Sequence, residues 1–195
     1  LFARDVAAFC DRLGLSGLHV IGLSMGGMIA FELVVRRPDL VRSLTIINSG
    51  PDMVPRTFQF RAVMATRLLM LRLLGPPALA RMIARKLFPK PDQANLRQRT
   101  EQRLAQNDRD VYMRATRGLI GWTVLDHLQE IACPVLVLAS EGDYTPVAVK
   151  QAYVARLRDA RPGHGFLGEE SGAERGSTNV TWLVHPIDGT VNCAS

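Results

Sequence analysis

Cysteine is scarce in this chain of 195 residues, and one long stretch of it is nearly without acid. The 3 cysteines, Cys10, Cys133 and Cys193, are odd in number and lack metal-ligand spacing. That excludes a disulfide-stapled scaffold and a cysteine-rich metal module. Cys10 falls on an apolar helix face and Cys133 opens an apolar strand, so both read as buried thiols in a reducing, cytoplasmic setting. No uninterrupted apolar run approaches the roughly 18–20 residues that span a bilayer, and no membrane span is expected. The opening Leu1-Phe2-Ala3-Arg4-Asp5 lacks a basic-then-apolar pattern, so it is not expected to be a secretory leader. With 47% hydrophobic and 22% charged residues, the composition excludes a disordered or collagenous chain.

The missing acid is local. Residues 54–122 hold 14 Lys+Arg against 4 Asp+Glu, whereas residues 162–195 hold 1 against 4; the whole chain carries +6. A basic helical stretch can attract anionic lipid, nucleic acid or acidic substrates. A solvated arginine-rich face is the plainer reading, and no nucleic-acid partner is expected.

Along the chain, Phe2, Val6, Phe9 and Leu13 recur at helical spacing up to the stop at Gly14. A strand is predicted over 18–23, a helix over 25–37 ending at Pro38, and a second strand over 43–48 closed by Ser49-Gly50-Pro51. Residues 54–130 read as helical throughout, with breaks at Gly75-Pro76-Pro77 and Pro89-Lys90-Pro91. Strand character returns over 133–139, and a helix is predicted over 147–158. Helices alternating with buried strands argue for an α/β architecture with a mostly parallel sheet. Near Arg161 the texture turns glycine-rich and polar, and a last strand-like run, Thr181-Trp182-Leu183-Val184, could fill a sheet edge.

The sharpest local pattern is Gly22-Leu23-Ser24-Met25-Gly26-Gly27, a G-x-S-x-G between a predicted strand and a predicted helix. A sharp turn there lifts a serine hydroxyl clear of the sheet and presses backbone on backbone. Glycine two residues to either side is expected to avoid the clash. Ser24 is then a candidate nucleophile, and the Met25 N–H a candidate oxyanion donor at the positive end of the following helix. With Arg37-Pro38-Asp39-Leu40-Val41-Arg42-Ser43-Leu44 and Ile131-Ala132-Cys133-Pro134-Val135-Leu136-Val137-Leu138, this stretch resembles the α/β-hydrolase family over about residues 4–161.

The resemblance implies a truncated α/β-hydrolase fold that lacks the family's first strands, which would leave the elbow strand as an exposed sheet edge open to self-association. It makes residues 54–130 a helical cap, with Phe58, Phe60, Leu68, Met70 and Phe88 lining an acyl pocket or forming ordinary core. The family order of serine, acid and histidine makes Asp143, in Glu141-Gly142-Asp143, the candidate acid, with Glu141 the lesser choice. His164 is the candidate base and His185 the weaker one; an absent base stays open. His19 precedes the elbow strand and His127 precedes the acid, so neither has the family order.

The C-terminal residues, 162–195, resemble a fragment of a second family, the inositol monophosphatases. The matching text is Gly163-His164-Gly165-Phe166-Leu167-Gly168-Glu169-Glu170-Ser171 and Trp182-Leu183-Val184-His185-Pro186-Ile187-Asp188-Gly189-Thr190. This likeness implies Mg²⁺ on Glu169, the Ile187 carbonyl and Asp188, with Thr190 beside the water. His185 stands where that family has an aspartate, and imidazole suits transition metals better than Mg²⁺. A short irregular C-terminal tail is the plainer expectation.

Three functions follow. The leading one is a cofactor-free serine hydrolase of a small ester or lactone through Ser24, Asp143 and His164. The alternatives are a Mg²⁺-dependent phosphomonoesterase built on Glu169 and Asp188, and a non-catalytic remnant whose basic helices bind an anionic partner.

Overall fold

A computed structural model describes residues 1–140, the segments 165–168, 172–174 and 181–187, and positions 152, 155, 159 and 163. Helix α1 (Phe2–Arg12) is followed by β1 (Leu18–Leu23), α2 (Met25–Arg36), β2 (Val41–Ile47) and α3 (Phe58–Leu87). Next come α4 (Ala94–Ala105), α5 (Arg109–Leu119), β3 (Val135–Ser140), β4 (Gly165–Gly168), β5 (Gly172–Glu174) and β6 (Thr181–Ile187). The helix predicted over 147–158 lies outside the described residues, save for positions 152 and 155, which are helical. Packing divides the chain into two units, Leu1–Asp52 with Thr123–Ser195, and Met53–Trp122.

The first unit is built on one sheet of order β1-β2-β3-β6-β4-β5, parallel throughout except for the β4–β5 pair. β2 lies inside the sheet, and its Val41, Leu44 and Ile46 are buried. Helix α2 adds Ala30, Phe31, Leu33 and Val34 to the same core. It stops because Pro38 removes a donor and disfavours helical backbone in the residue before it; Arg37 accordingly takes φ −138°. The Arg37 guanidinium then clips α1 to this turn, donating to both carboxylate oxygens of Asp11 at 2.9 Å and to Asp39 at 2.7 and 2.9 Å.

Two expectations change here. The buried face of α1 is Ala3, Ala7 and Cys10, while Phe9 and Leu13 are exposed. Helical spacing marks both faces equally well, and the face of small residues is the one turned inward. In the stretch expected to be irregular, β4 and β5 are strands; the run expected at 181–184 is β6, which lies inside the sheet rather than at its edge and pairs with β3 over Leu136–Leu183 to Ser140–Ile187. Cys10 is buried as expected and Cys133 is half-buried; Cys193 lies outside the described residues.

The second unit is helical. Thr57 caps α3 through its hydroxyl, which accepts from the Phe60 N–H at 3.2 Å, and Asp108 caps α5 through Val111 at 2.8 Å. Leu71, Leu79 and Met113 form its core, with Leu68, Met70, Ile83 and Tyr112 packed against them. The break expected at Gly75-Pro76-Pro77 is a kink inside α3, where Gly75 has φ 74° and ψ −179°. By length and composition α3 can cross a membrane: it has 30 residues, and an 18-residue window has mean hydropathy 1.3. Arg67 and Arg72 divide this otherwise apolar segment, which is why it does not read as an uninterrupted run.

Candidate active site

Ser24 occupies the turn between β1 and α2 at φ 52° and ψ −117°, a backbone conformation that costs a non-glycine residue about 1–3 kcal/mol. The surroundings hold it there. Its N–H donates to the Ile47 carbonyl at 2.9 Å, and its carbonyl accepts from the Gly27 N–H at 3.0 Å. Serine at a helix N-cap normally bonds the first turn through its hydroxyl. Ser24 makes no such side-chain cap. Met25 is the first residue of α2, so its N–H has no acceptor within the helix and lies at the positive end of the helix dipole. A partly exposed hydroxyl beside an N–H with no acceptor in its own helix is suited to attack on a carbonyl and to holding the oxyanion that results.

The close approach beneath the turn rests on two glycines. A Cβ on Gly22 would stand 2.5 Å from the Gly26 carbonyl oxygen and 2.6 Å from the Gly27 Cα. A Cβ on Gly27 would stand 2.5 Å from the Ser49 Cβ. At Gly26 a Cβ meets nothing within 4 Å among the described residues. The requirement expected two residues to either side thus holds at Gly22 but passes to Gly27 on the helix side. Gly27 is the residue that faces back onto the strands, and its place in the Gly26-Gly27 pair was the available sequence signal.

At the end of β2, Asn48 adopts φ 46° and donates its N–H to the Leu138 carbonyl at 2.9 Å, tying β2 to β3 just past the elbow. Ser49 has a buried Oγ with no hydrogen-bond partner among the described residues. Asp52, 8% exposed, is a buried carboxylate bridged through its backbone to Thr123. Sequence reasoning assigned none of these three a role, since polar residues in a turn signal look alike before the fold places them.

Asp143, Glu141, His164, Glu169, Asp188 and Thr190 lie outside the described residues. His19 is exposed on β1 and bonds the Ser43 hydroxyl through Nδ1 at 2.7 Å. His127 is exposed and pairs with Glu130 through Nδ1 at 2.7 Å; this carboxylate holds its pKa above the ordinary histidine value. Both are engaged away from the serine turn. His185 lies on β6 in register with Leu138 of β3. Among the described residues no cluster of three or more His, Cys, Asp or Glu could hold a metal.

Of the apolar residues expected around an acyl pocket, Phe58 is 84% exposed, while Leu68 and Met70 pack in the helical unit's own core. A cavity of about 30 Å³ lies between Leu68, Leu71, Leu79 and Tyr112. That is room for a water or two, far from enough for an acyl chain.

The sequence profile of the α/β hydrolase fold matches residues 1–160. The chain belongs to the α/β-hydrolase fold family. A second profile, of the inositol monophosphatase family, matches residues 141–194. This α/β hydrolase is 30% identical over 177 residues to RutD of Caulobacter sp. (strain K31), named as a candidate carbamate hydrolase, with 83% of this chain and 64% of that protein covered. It is 30% identical over 140 residues to 3-oxoadipate enol-lactonase 1 of Acinetobacter baylyi, with 72% of this chain and 52% of that protein covered. Over 47 residues it is 47% identical to the inositol-1-monophosphatase of Caulobacter vibrioides, covering 24% of this chain and 18% of that one. Among solved structures, the enol-lactonase of Burkholderia xenovorans LB400 superposes with TM-score 0.69 at 19% identity, covering 94% of this chain and 62% of that one. The chain therefore spans less than two thirds of the length of these relatives.

Proposed function

We propose that this α/β-hydrolase chain carries the nucleophile of an acyl hydrolase that takes a small carboxylic ester or lactone. The observation that carries the reading is the Ser24 turn: a positive-φ serine, pinned to Ile47, whose side chain does not cap its own helix. Ser24 Oγ attacks the acyl carbonyl as its proton passes to His164, and the Met25 N–H stabilises the oxyanion. Collapse expels the alcohol, which takes that proton, and water then releases the acid from the acyl-serine by the same route. Asp143 orients the histidine. The roles of Asp143 and His164 rest on chain order, Ser then Asp then His, and residues 54–130 serve in this reading as the cap. The enol-lactonase among the relatives supports an ester or lactone substrate.

Labelling with a fluorophosphonate and mapping the adduct by mass spectrometry tests this. An adduct on Ser24 is expected, absent in Ser24→Ala and much slower to form in His164→Ala. A folded chain that takes no adduct would overturn the reading.

The inositol monophosphatase profile favours a second reading, a phosphomonoesterase using Glu169 and Asp188. His185 places imidazole where the carboxylate belongs, a donor set that does not fit Mg²⁺, and no step is derived through the metal. Mg²⁺-dependent phosphate release lost in Glu169→Gln is the result that this reading requires.

A further inference from the structure

The helical unit turns an apolar face outward. Along the first limb of α3, Phe58, Ala62, Ala65, Leu69 and Leu73 recur at steps of four, three, four and four, and so share one face. All five are exposed, Phe58 at 84% and Leu73 at 69%. The buried residues of this limb, Met64 and Leu71, lie on the opposite side. This helix is not amphipathic in the ordinary sense, since it has one apolar face for its core and another facing out.

The charge around the stripe is of one sign. Residues 58–87 contain Arg61, Arg67, Arg72, Arg81, Arg85 and Lys86 and no Asp or Glu. Arg61 and Arg72 are exposed along one border of the stripe. The few acids of the unit sit on α4, on α5 and in the turns before them, and Glu101 pairs with Arg81 at 3.0 Å. A solvated arginine face explains the cations but not the leucines between them. A nucleic acid would use the cations and leave the leucines wet. A second copy packed antiparallel on this face would bring the border of Arg61 and Arg72 against its own kind.

We infer that the outward face of α3's first limb docks on an anionic lipid bilayer, with Phe58, Leu69 and Leu73 entering the headgroup boundary and Arg61 and Arg72 meeting lipid phosphates. Composition alone would let α3 span the membrane. The Gly75 kink divides it into limbs of 17 and 12 residues, about 26 and 18 Å long at 1.5 Å per residue, both shorter than the roughly 30 Å hydrocarbon core. The helix lies on the surface. This inference is independent of the chemistry at Ser24.

Flotation of the full chain with vesicles of phosphatidylcholine, with and without phosphatidylglycerol, tests it. Binding is expected only where phosphatidylglycerol is present, weakening as salt rises. The double variant Arg61→Gln/Arg72→Gln should bind roughly thirtyfold more weakly, from about fivefold per cation. Leu69→Asn/Leu73→Asn should lose at least about tenfold in partitioning. Both variants alter exposed positions, and unchanged circular dichroism would show that they fold. Equal binding to both vesicle types, or none to either, overturns the inference. So does full binding by the leucine variant, which would mean charge alone suffices, as any polyanion could supply. A dimer in solution that Leu69→Asn/Leu73→Asn dissociates would assign the face to a second copy and overturn it too.

Discussion

Around Ser24 the tolerance of each glycine follows from what a methyl group would strike. At Gly22 it meets backbone atoms that cannot move aside, and at Gly27 it meets the Ser49 side chain at its root. Gly22→Ala and Gly27→Ala should each lose about 1–3 kcal/mol in urea unfolding, whereas Gly26→Ala should stay within about 1 kcal/mol of the parent. Adding Ser49→Gly to Gly27→Ala should recover most of the second loss and none of the first, the signature of a direct contact in a double-mutant cycle. His127 offers a titration at the same scale. Glu130 raises its folded pKa above 6.5, so the pair's contribution is complete below the unfolded value and is lost as pH rises through the folded one. Both side chains are about half exposed, and the effect on stability is small. Imidazole titration by NMR should find His127 above 6.5 and Glu130→Gln moving it back down.

Among the elements, α3 depends most on a single residue. Gly75 combines positive φ with an extended ψ, a region open essentially to glycine alone, and Pro76 and Pro77 prevent the helix from running straight past it. Gly75→Ala should destabilise the helical unit by about 1–3 kcal/mol, read as a lower thermal midpoint of the helical signal. The Gly-Pro-Pro triplet announced a break here in the sequence, and a break is present. That the two limbs share one core, Leu71 on one side of the kink and Leu79 on the other, was not legible, because contacts across a bend depend on its angle. In α1, likewise, period alone did not choose between Phe9-Leu13 and Ala3-Ala7-Cys10 as the inner face.

For the molecule as a whole, the sheet order sets what is exposed. Among the described strands β1 is an edge, and its Ile21 and Leu23 are 70% and 61% exposed. Unpaired N–H and C=O groups beside exposed apolar residues invite another strand. Light scattering should show association that grows with concentration, that Ile21→Lys suppresses and that Leu69→Asn leaves alone. The sequence by itself determined the alternation of helix and strand, the serine turn and the cationic helical middle. Those follow from periodicity, from glycine and proline sterics, and from charge count, all of which act within a few residues. Only the tertiary structure decided that Gly27 rather than Gly26 is the tight glycine, and that β6 pairs with β3. It alone also decided that α3 presents a second apolar face to the outside. Each of these depends on which distant segment arrives alongside, and no local pattern encodes that arrival.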